Sequence, residues 1–161
     1  MRKKKVLSTV CGILSGFLCI SVTVMPVQAE EVAGYHERIT TETEAVDNWY
    51  SVERGAYISF CTTKISDAGK GKVTISGSTS SKSVCDELKL ALYLDESSNN
   101  SKYGTIGVHH YKNENAALVS GYEADVRVTS GYYYRARGVH TVIKGDTIET
   151  TDSCTGALTA S

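Results

Sequence analysis

Proline is nearly absent. Pro26 is the only one, so no strand in the rest of the chain is broken by proline. Metal-ligand spacing is absent as well. The cysteines beyond Ala29 are Cys61, Cys85 and Cys154, widely separated and with no neighbouring His or Cys, which argues against a zinc site. There is no G-x-S-x-G elbow to expose a nucleophilic serine. No basic stripe runs along the chain, and no apolar tail follows its last strand-like run. These absences point away from nucleic acid, from a bound cofactor and from a second membrane anchor.

What is present begins with Met1–Ala29. Arg2, Lys3, Lys4 and Lys5 form a positive start, Val6–Val24 is apolar and uncharged, and Pro26 precedes Val27-Gln28-Ala29. That is the layout of a secretory signal peptide, with cleavage expected between Ala29 and Glu30. The alternative is an uncleaved anchor, since the apolar run is about 19 residues, enough to span a bilayer. Cys11 and Cys19 lack the Leu-x-(Gly/Ala) pattern of a lipoprotein signal. The expected location is extracellular, with no membrane association after cleavage.

Removing Met1–Ala29 from the 161 residues leaves Glu30–Ser161, one domain's worth and enough for a core. The leader takes 4 of the 17 basic residues and none of the 18 acidic ones, so the remainder carries 13 − 18 = −5. Such a charge keeps an exported protein soluble. Outside the cytoplasm a disulfide is permitted. Cys61 with Cys85 is the preferred pair, stabilising by about 3 kcal/mol in the chain-entropy model. The alternative is that all three cysteines are reduced and buried as small hydrophobes.

Residues 30–54 read as a polar N-terminal arm, with a turn of helix near Glu42–Trp49 and with Trp49 and Tyr50 packed on the domain edge. From Gly55 the pattern changes. Seven runs rich in β-branched and aromatic residues follow: Ala56–Ser66, Lys72–Ser76, Glu87–Leu94, Gly104–Tyr111, Gly121–Val128, Tyr132–Ile143 and Thr147–Thr151. A short eighth covers Ala157–Thr159. Turn signals sit at Gly69-Lys70-Gly71, Ser97–Ser101, Asn113-Glu114-Asn115, Thr129-Ser130-Gly131 and Gly145-Asp146. The spacing predicts an all-β domain over residues 55–161, an antiparallel β-sandwich of seven to eight strands. Alternation sets Leu88, Leu90, Leu92 and Leu94 on the core face, with Val73 and Ile75, and with Tyr122, Ala124, Val126 and Val128.

One hairpin has an explicit register. A loop at Thr129-Ser130-Gly131, with Gly131 left-handed, opposes Val126 to Tyr134 and Ala124 to Ala136 on the core side. On the wet side it opposes Asp125 to Arg135 and Glu123 to Arg137.

The chemistry is sparse. His109 and His110 are adjacent and point to opposite faces of a strand, so they do not share a metal without a bulge. His110 is expected in the core with Ile106 and Val108, His109 outside, and His140 on the face of Tyr134, Ala136 and Gly138. His36 stands apart. Asp86-Glu87 and Asp95-Glu96 are paired carboxylates, but at strand ends, where they serve solubility. Tyr132-Tyr133-Tyr134 is the densest aromatic patch. Its structural reading is a tyrosine corner bonded to upstream backbone. Its functional reading is a binding strip of Tyr133, Arg135 and Arg137, residue types enriched in interface hot spots.

The segment Gly131-Tyr132-Tyr133-Tyr134-Arg135-Ala136-Arg137-Gly138-Val139-His140 resembles an uncharacterised family of small secreted proteins of Gram-positive bacteria, with a Tyr-Tyr-Arg-x-Arg-Gly-x-His strand. Cys85-Asp86-Glu87-Leu88 leading into Leu92-Tyr93-Leu94 looks like that family's middle motif. The resemblance implies export and a β fold over Ala56 to the end, and no activity. Gly131–Val139 also looks like the late strand of a fibronectin type III or immunoglobulin-like module, a likeness of fold only. Three functions are compatible. The leading one is a secreted, non-catalytic interaction or surface-associated protein, its partner another protein or a cell-wall component. The others are a toxin-like or bacteriocin-like effector and a cell-envelope hydrolase.

Overall fold

The computed structural model describes residues 28–161. The expected signal peptide lies outside the described residues apart from its last two. Nine strands form one sheet, and no helix occurs among the described residues. In chain order they are β1 (Glu30–Glu31), β2 (Gly34–Thr40), β3 (Glu44–Ser51), β4 (Ile58–Asp67), β5 (Lys72–Ser97), β6 (Gly104–Arg127), β7 (Tyr133–Lys144), β8 (Thr147–Cys154) and β9 (Leu158–Thr159). The order across the sheet is β1-β8-β7-β5-β4-β3-β2, with β6 also on β5 and β9 on β7. Pairing is antiparallel except between β1 and β8. The sheet is curled and mixed, with a half-barrel shape.

Its organiser is the hairpin of β5 and β6, strands of 26 and 24 residues. The first part of β5 pairs with β4 and its last part with β7, while β6 follows it on the same side throughout. Lys72–Ser76 and Glu87–Leu94 are therefore one strand rather than two, and so are Gly104–Tyr111 and Gly121–Val128. The expected turn at Asn113-Glu114-Asn115 is instead the bend of this ribbon, where Asn115 takes φ 49° and the register slips between Ser80 and Cys85. The bend divides the sheet into a first half (β2, β3, β4 and the adjoining parts of β5 and β6) and a second half (the rest of β5 and β6, β7, β8 and β1).

The inner faces of the two halves form the core. Trp49, Ile58, Cys61, Ile65, Val73 and Ile75 come from the first half, and Leu88, Leu90, Leu92, Leu94, Tyr134 and Val142 from the second. Each buried aliphatic side chain contributes roughly 1.5–3 kcal/mol. The leucine and Val73/Ile75 alternations hold. That of Tyr122 to Val128 does not. A bulge where Asp125 takes φ 54° skips a residue between Val73↔Val126 and Ile75↔Glu123. It reverses the alternation on its far side, so Val126 leans on the core while Tyr122 is 64% exposed.

The N-terminal arm is part of the sheet. β3 pairs with β4 from Glu44 to Tyr50, and Ala45, Asp47 and Trp49 are buried. The expected helical turn there is a strand, because apolar or paired side chains at every second position fit a sheet and not a 3.6-residue period. Two buried carboxylates stitch the halves together. Asp47 on β3 accepts the Cys154 N–H of β8 at 2.7 Å. Glu149 on β8 accepts the Tyr57 and Ile58 N–H groups at 2.8 Å.

Candidate functional site

β7 alternates strictly. Tyr134, Ala136, Gly138, His140 and Val142 are buried, and Tyr133, Arg135, Arg137, Val139 and Thr141 face outward. The three strip residues therefore share the outer face of the second half. The expected charge partners do not. β6 and β7 are not neighbours, and both pair with β5. The connection keeps Gly131 left-handed at φ 81°, but its N–H goes to Ala160 O, so no hairpin forms. Arg135 and Arg137 instead converge on Asp95.

Asp95 lies directly opposite Arg135 on β5 and is only 2% exposed. Its Oδ2 accepts Arg137 Nε–H at 2.6 Å and Arg135 Nε–H at 3.1 Å. Its Oδ1 accepts Arg137 Nη2 at 3.1 Å and the Thr105 hydroxyl at 2.7 Å. Burial works to raise the Asp95 pKa, but the hydrogen bonds from Arg137, Thr105 and Arg135 outweigh it and hold the carboxyl below its ordinary value. Arg137 is raised in turn, first by its hydrogen bond to Asp95. Each guanidinium also lies over a tyrosine ring. Arg135 is 4.1 Å from the centroid of Tyr103, and Arg137 is 4.9 Å from that of Tyr93. The guanidiniums are roughly one-third exposed and are held before any ligand arrives. A fixed planar donor loses less entropy on binding than a free one.

The same face continues into a depression of about 360 Å³. Lys89, Ala91, His110, Lys112, Val139 and Thr141 are among the residues that line it. His110 is thus exposed rather than in the core, with Ile106 and Val108 beside it at 49% and 45% exposure. Because β6 is an edge strand, its outer residues have no neighbour on one side. His109 is the half-buried one, its Nδ1 3.0 Å from Glu123, which also accepts the Tyr111 hydroxyl at 2.6 Å. Burial, then this bond, raises Tyr111 to about 12.

A family model fits residues 27–158. The chain belongs to a family of unknown function, DUF6147. Neither the curated proteins nor the solved structures yield a match. The DUF6147 match includes β1 to β3, so the polar segment before Gly55 is family sequence as well as part of the sheet.

In this DUF6147 chain, Cys61, Cys85 and Cys154 are free thiols. The expected Cys61–Cys85 bond is not formed. Cys61 stands opposite Thr79, whereas Cys85 lies past the bend of β5, opposite Ala116. Burial pushes the Cys61 thiol up. Cys154 is half-buried on β8 opposite Arg137, and Arg38 Nε–H donates to its carbonyl at 3.1 Å. Burial raises its pKa against the pull of Arg135 and Arg137.

His140 does contact a serine, with Nε2 2.8 Å from Ser153 Oγ and Nδ1 2.8 Å from Thr79 Oγ1. Ser153 is in turn 2.6 Å from Thr63 Oγ1. His140 and Ser153 are 0% and 2% exposed, so the pair is sealed in the core and orders the fold. Among the described residues no group of three or more His, Cys, Asp or Glu side chains is placed to hold a metal.

Sequence reasoning assigned Asp95-Glu96 to surface solubility. Both lie within β5. Asp95 organises the strip, and Glu96 accepts the Tyr134 hydroxyl at 2.6 Å. Tyr134 makes the corner contact, its hydroxyl accepting the upstream Thr129 N–H at 2.9 Å. Asp95, Tyr93, Tyr103 and Thr105 were missed. A signal for two of them was present, because Asp95 and Tyr93 continue the outward parity of Lys89 and Ala91.

Proposed function

We propose that the chain is a secreted, non-catalytic interaction module of a Gram-positive bacterium, an immunoglobulin-like β-sandwich that meets its partner through the outer face of β7 and β5. The leader-like segment Met1–Ala29 supports export. The two inner faces that share one core support the sandwich reading. The observation that carries binding is the pair of guanidiniums fixed by Asp95 over two tyrosine rings. Tyrosine and arginine supply large contact area and directional donors at little ordering cost. The adjoining depression at Ala91 and Val139 extends the surface that a protein or cell-wall component would cover.

Fractionation of the producing culture tests export. The protein belongs in the medium or wall fraction with Glu30 at its N-terminus, and retention in the cytoplasm contradicts the reading. Pull-down of the mature chain against the producer's cell walls and supernatant tests binding. Tyr133→Ala with Arg135→Ala should lose the partner that the parent holds, and a partner retained by that variant places the binding surface elsewhere.

A further inference from the structure

The opposite outer face, on the first half of the sheet, is built differently. Cross-strand register lines up Tyr35, Tyr50, Phe60, Ser80 and Leu118 in one row across five strands. Tyr35 and Tyr50 are stacked with centroids 5.1 Å apart, and Tyr50 and Phe60 are tilted at 5.0 Å. Tyr35 and Leu118 are 55% and 51% exposed. The next row reads Glu37, Asn48, Thr62, Ser78 and Ser120, short and uncharged except for Glu37 on the edge strand, whose carboxylate accepts the Tyr50 hydroxyl at 3.4 Å. Its hydroxyls open into a shallow trough of about 400 Å³ bounded by Tyr122 and Lys64. An aromatic row lying beside a hydroxyl and amide row is not needed by the core, which is on the other side of the sheet.

We infer that this face is a second binding site and that its ligand is an extended neutral glycan laid across the strands. Three observations favour that chemistry. Sugar rings carry apolar C–H faces and hydroxyl edges, which match an aromatic row beside donors and acceptors of the Ser, Thr and Asn type. The two rows carry one formal charge, that of Glu37 at the edge strand, and no cation. An anionic ligand would find no counter-ion there to offset its desolvation. Lys64, in the row beyond, is already paired with Glu44. Finally, the rows offer one side chain per strand at a spacing of about 4.8 Å, close to the advance of one pyranose along an extended chain.

The test is depletion of the purified chain from Glu30 onward, which contains all nine strands, by chitin, microcrystalline cellulose and insoluble mannan. Binding to at least one of these probes is expected, insensitive to salt. Tyr35→Ala should weaken it by about tenfold or more, and so should Thr62→Val with Ser78→Ala. Tyr35 is exposed on an edge strand, so its loss leaves the fold intact, as circular dichroism would verify. Lys102→Ala, exposed and outside both faces, should bind these probes like the parent. The inference is overturned if none of the three probes retains the protein, if retention survives both first-half variants, or if it disappears with added salt. It is equally overturned if light scattering shows a dimer that Tyr35→Ala dissociates, since a second copy would then be the occupant.

Discussion

Asp95 and Arg137 sit on neighbouring strands but not opposite each other. The facing pair is Asp95 with Arg135, and Arg137 reaches diagonally to the same carboxylate with its Nε 2.6 Å from Oδ2. One buried anion therefore fixes two cations that follow one another along β7. Asp95→Asn keeps the shape and removes the charge. Because the guanidiniums are about one-third exposed, water compensates part of the loss, and the cost should be about 1–2 kcal/mol by chemical denaturation. The folded Asp95 pKa is depressed, so its contribution is present above the unfolded value near 4 and is lost as pH falls through the folded value. Asp95→Asn should accordingly lose less stability than the parent as the pH falls below about 4.

His140 gives a different acid response. Burial pushes its pKa down to about 3, while the unfolded ring titrates near 6.5. Above that value the ring is neutral in both states and there is no penalty. Below it the unfolded chain takes up a proton that the fold refuses, so stability falls as the pH drops, by up to about 1.4 kcal/mol per unit. Guanidinium melts at pH 7, 6, 5 and 4 should show a slope shallower by one proton in His140→Gln. Equal slopes would mean that the folded protein protonates this ring.

Gly138 leaves room for the buried polar seam. A Cβ there would stand 2.3 Å from Thr63 Oγ1, 2.7 Å from His140 Nε2 and 2.8 Å from Ser153 Oγ. Gly138→Ala must displace at least one member of the network and leave a buried polar atom unsatisfied. The expected cost is about 2–4 kcal/mol, read as a lower thermal midpoint. A variant as stable as the parent would show that the two inner faces are not closely apposed at this point.

The thiols are distinguishable by accessibility. In the native chain Cys154, on the rim of the Arg–Tyr face, should be alkylated first, while Cys61 and Cys85 are buried. Denaturation without reductant should make all three reactive. Mass spectrometry would settle it, and a single reactive thiol in the denatured chain would mean that a disulfide had formed after all.

Much of this was legible in period-2 patterning. Leu88 to Leu94 and Tyr134 to His140 point inward as their alternation requires, and Tyr133, Arg135 and Arg137 share an outer face. Strand partners were not legible. Asp125 and Glu123 match Arg135 and Arg137 in charge as well as Asp95 does, and a short turn made the local pairing attractive. The local hairpin loses because β5 is long enough to take β6 on one side and β7 on the other. The Ser-rich stretch Ser76–Ser83 carries little apolar alternation of its own, yet Ser76, Ser78 and Ser80 are the wet face of a strand whose Gly77 and Thr79 are buried. The aromatic row of the first half was equally hidden, since Tyr35, Tyr50 and Phe60 are brought together only by cross-strand register.

The parallel pairing of β1 with β8 bears on how the protein assembles. Glu30 meets Glu149, and Val32 N–H donates to Thr150 O at 3.1 Å, so almost the whole chain must emerge before β1 finds a place. Loops of that span are entropically costly to close, and all-β topologies rich in distant pairings fold in milliseconds to seconds rather than microseconds. The proposed export would benefit from that slowness. A chain whose sheet closes only once its late strands are present would stay extended through a translocation channel and fold on the far side.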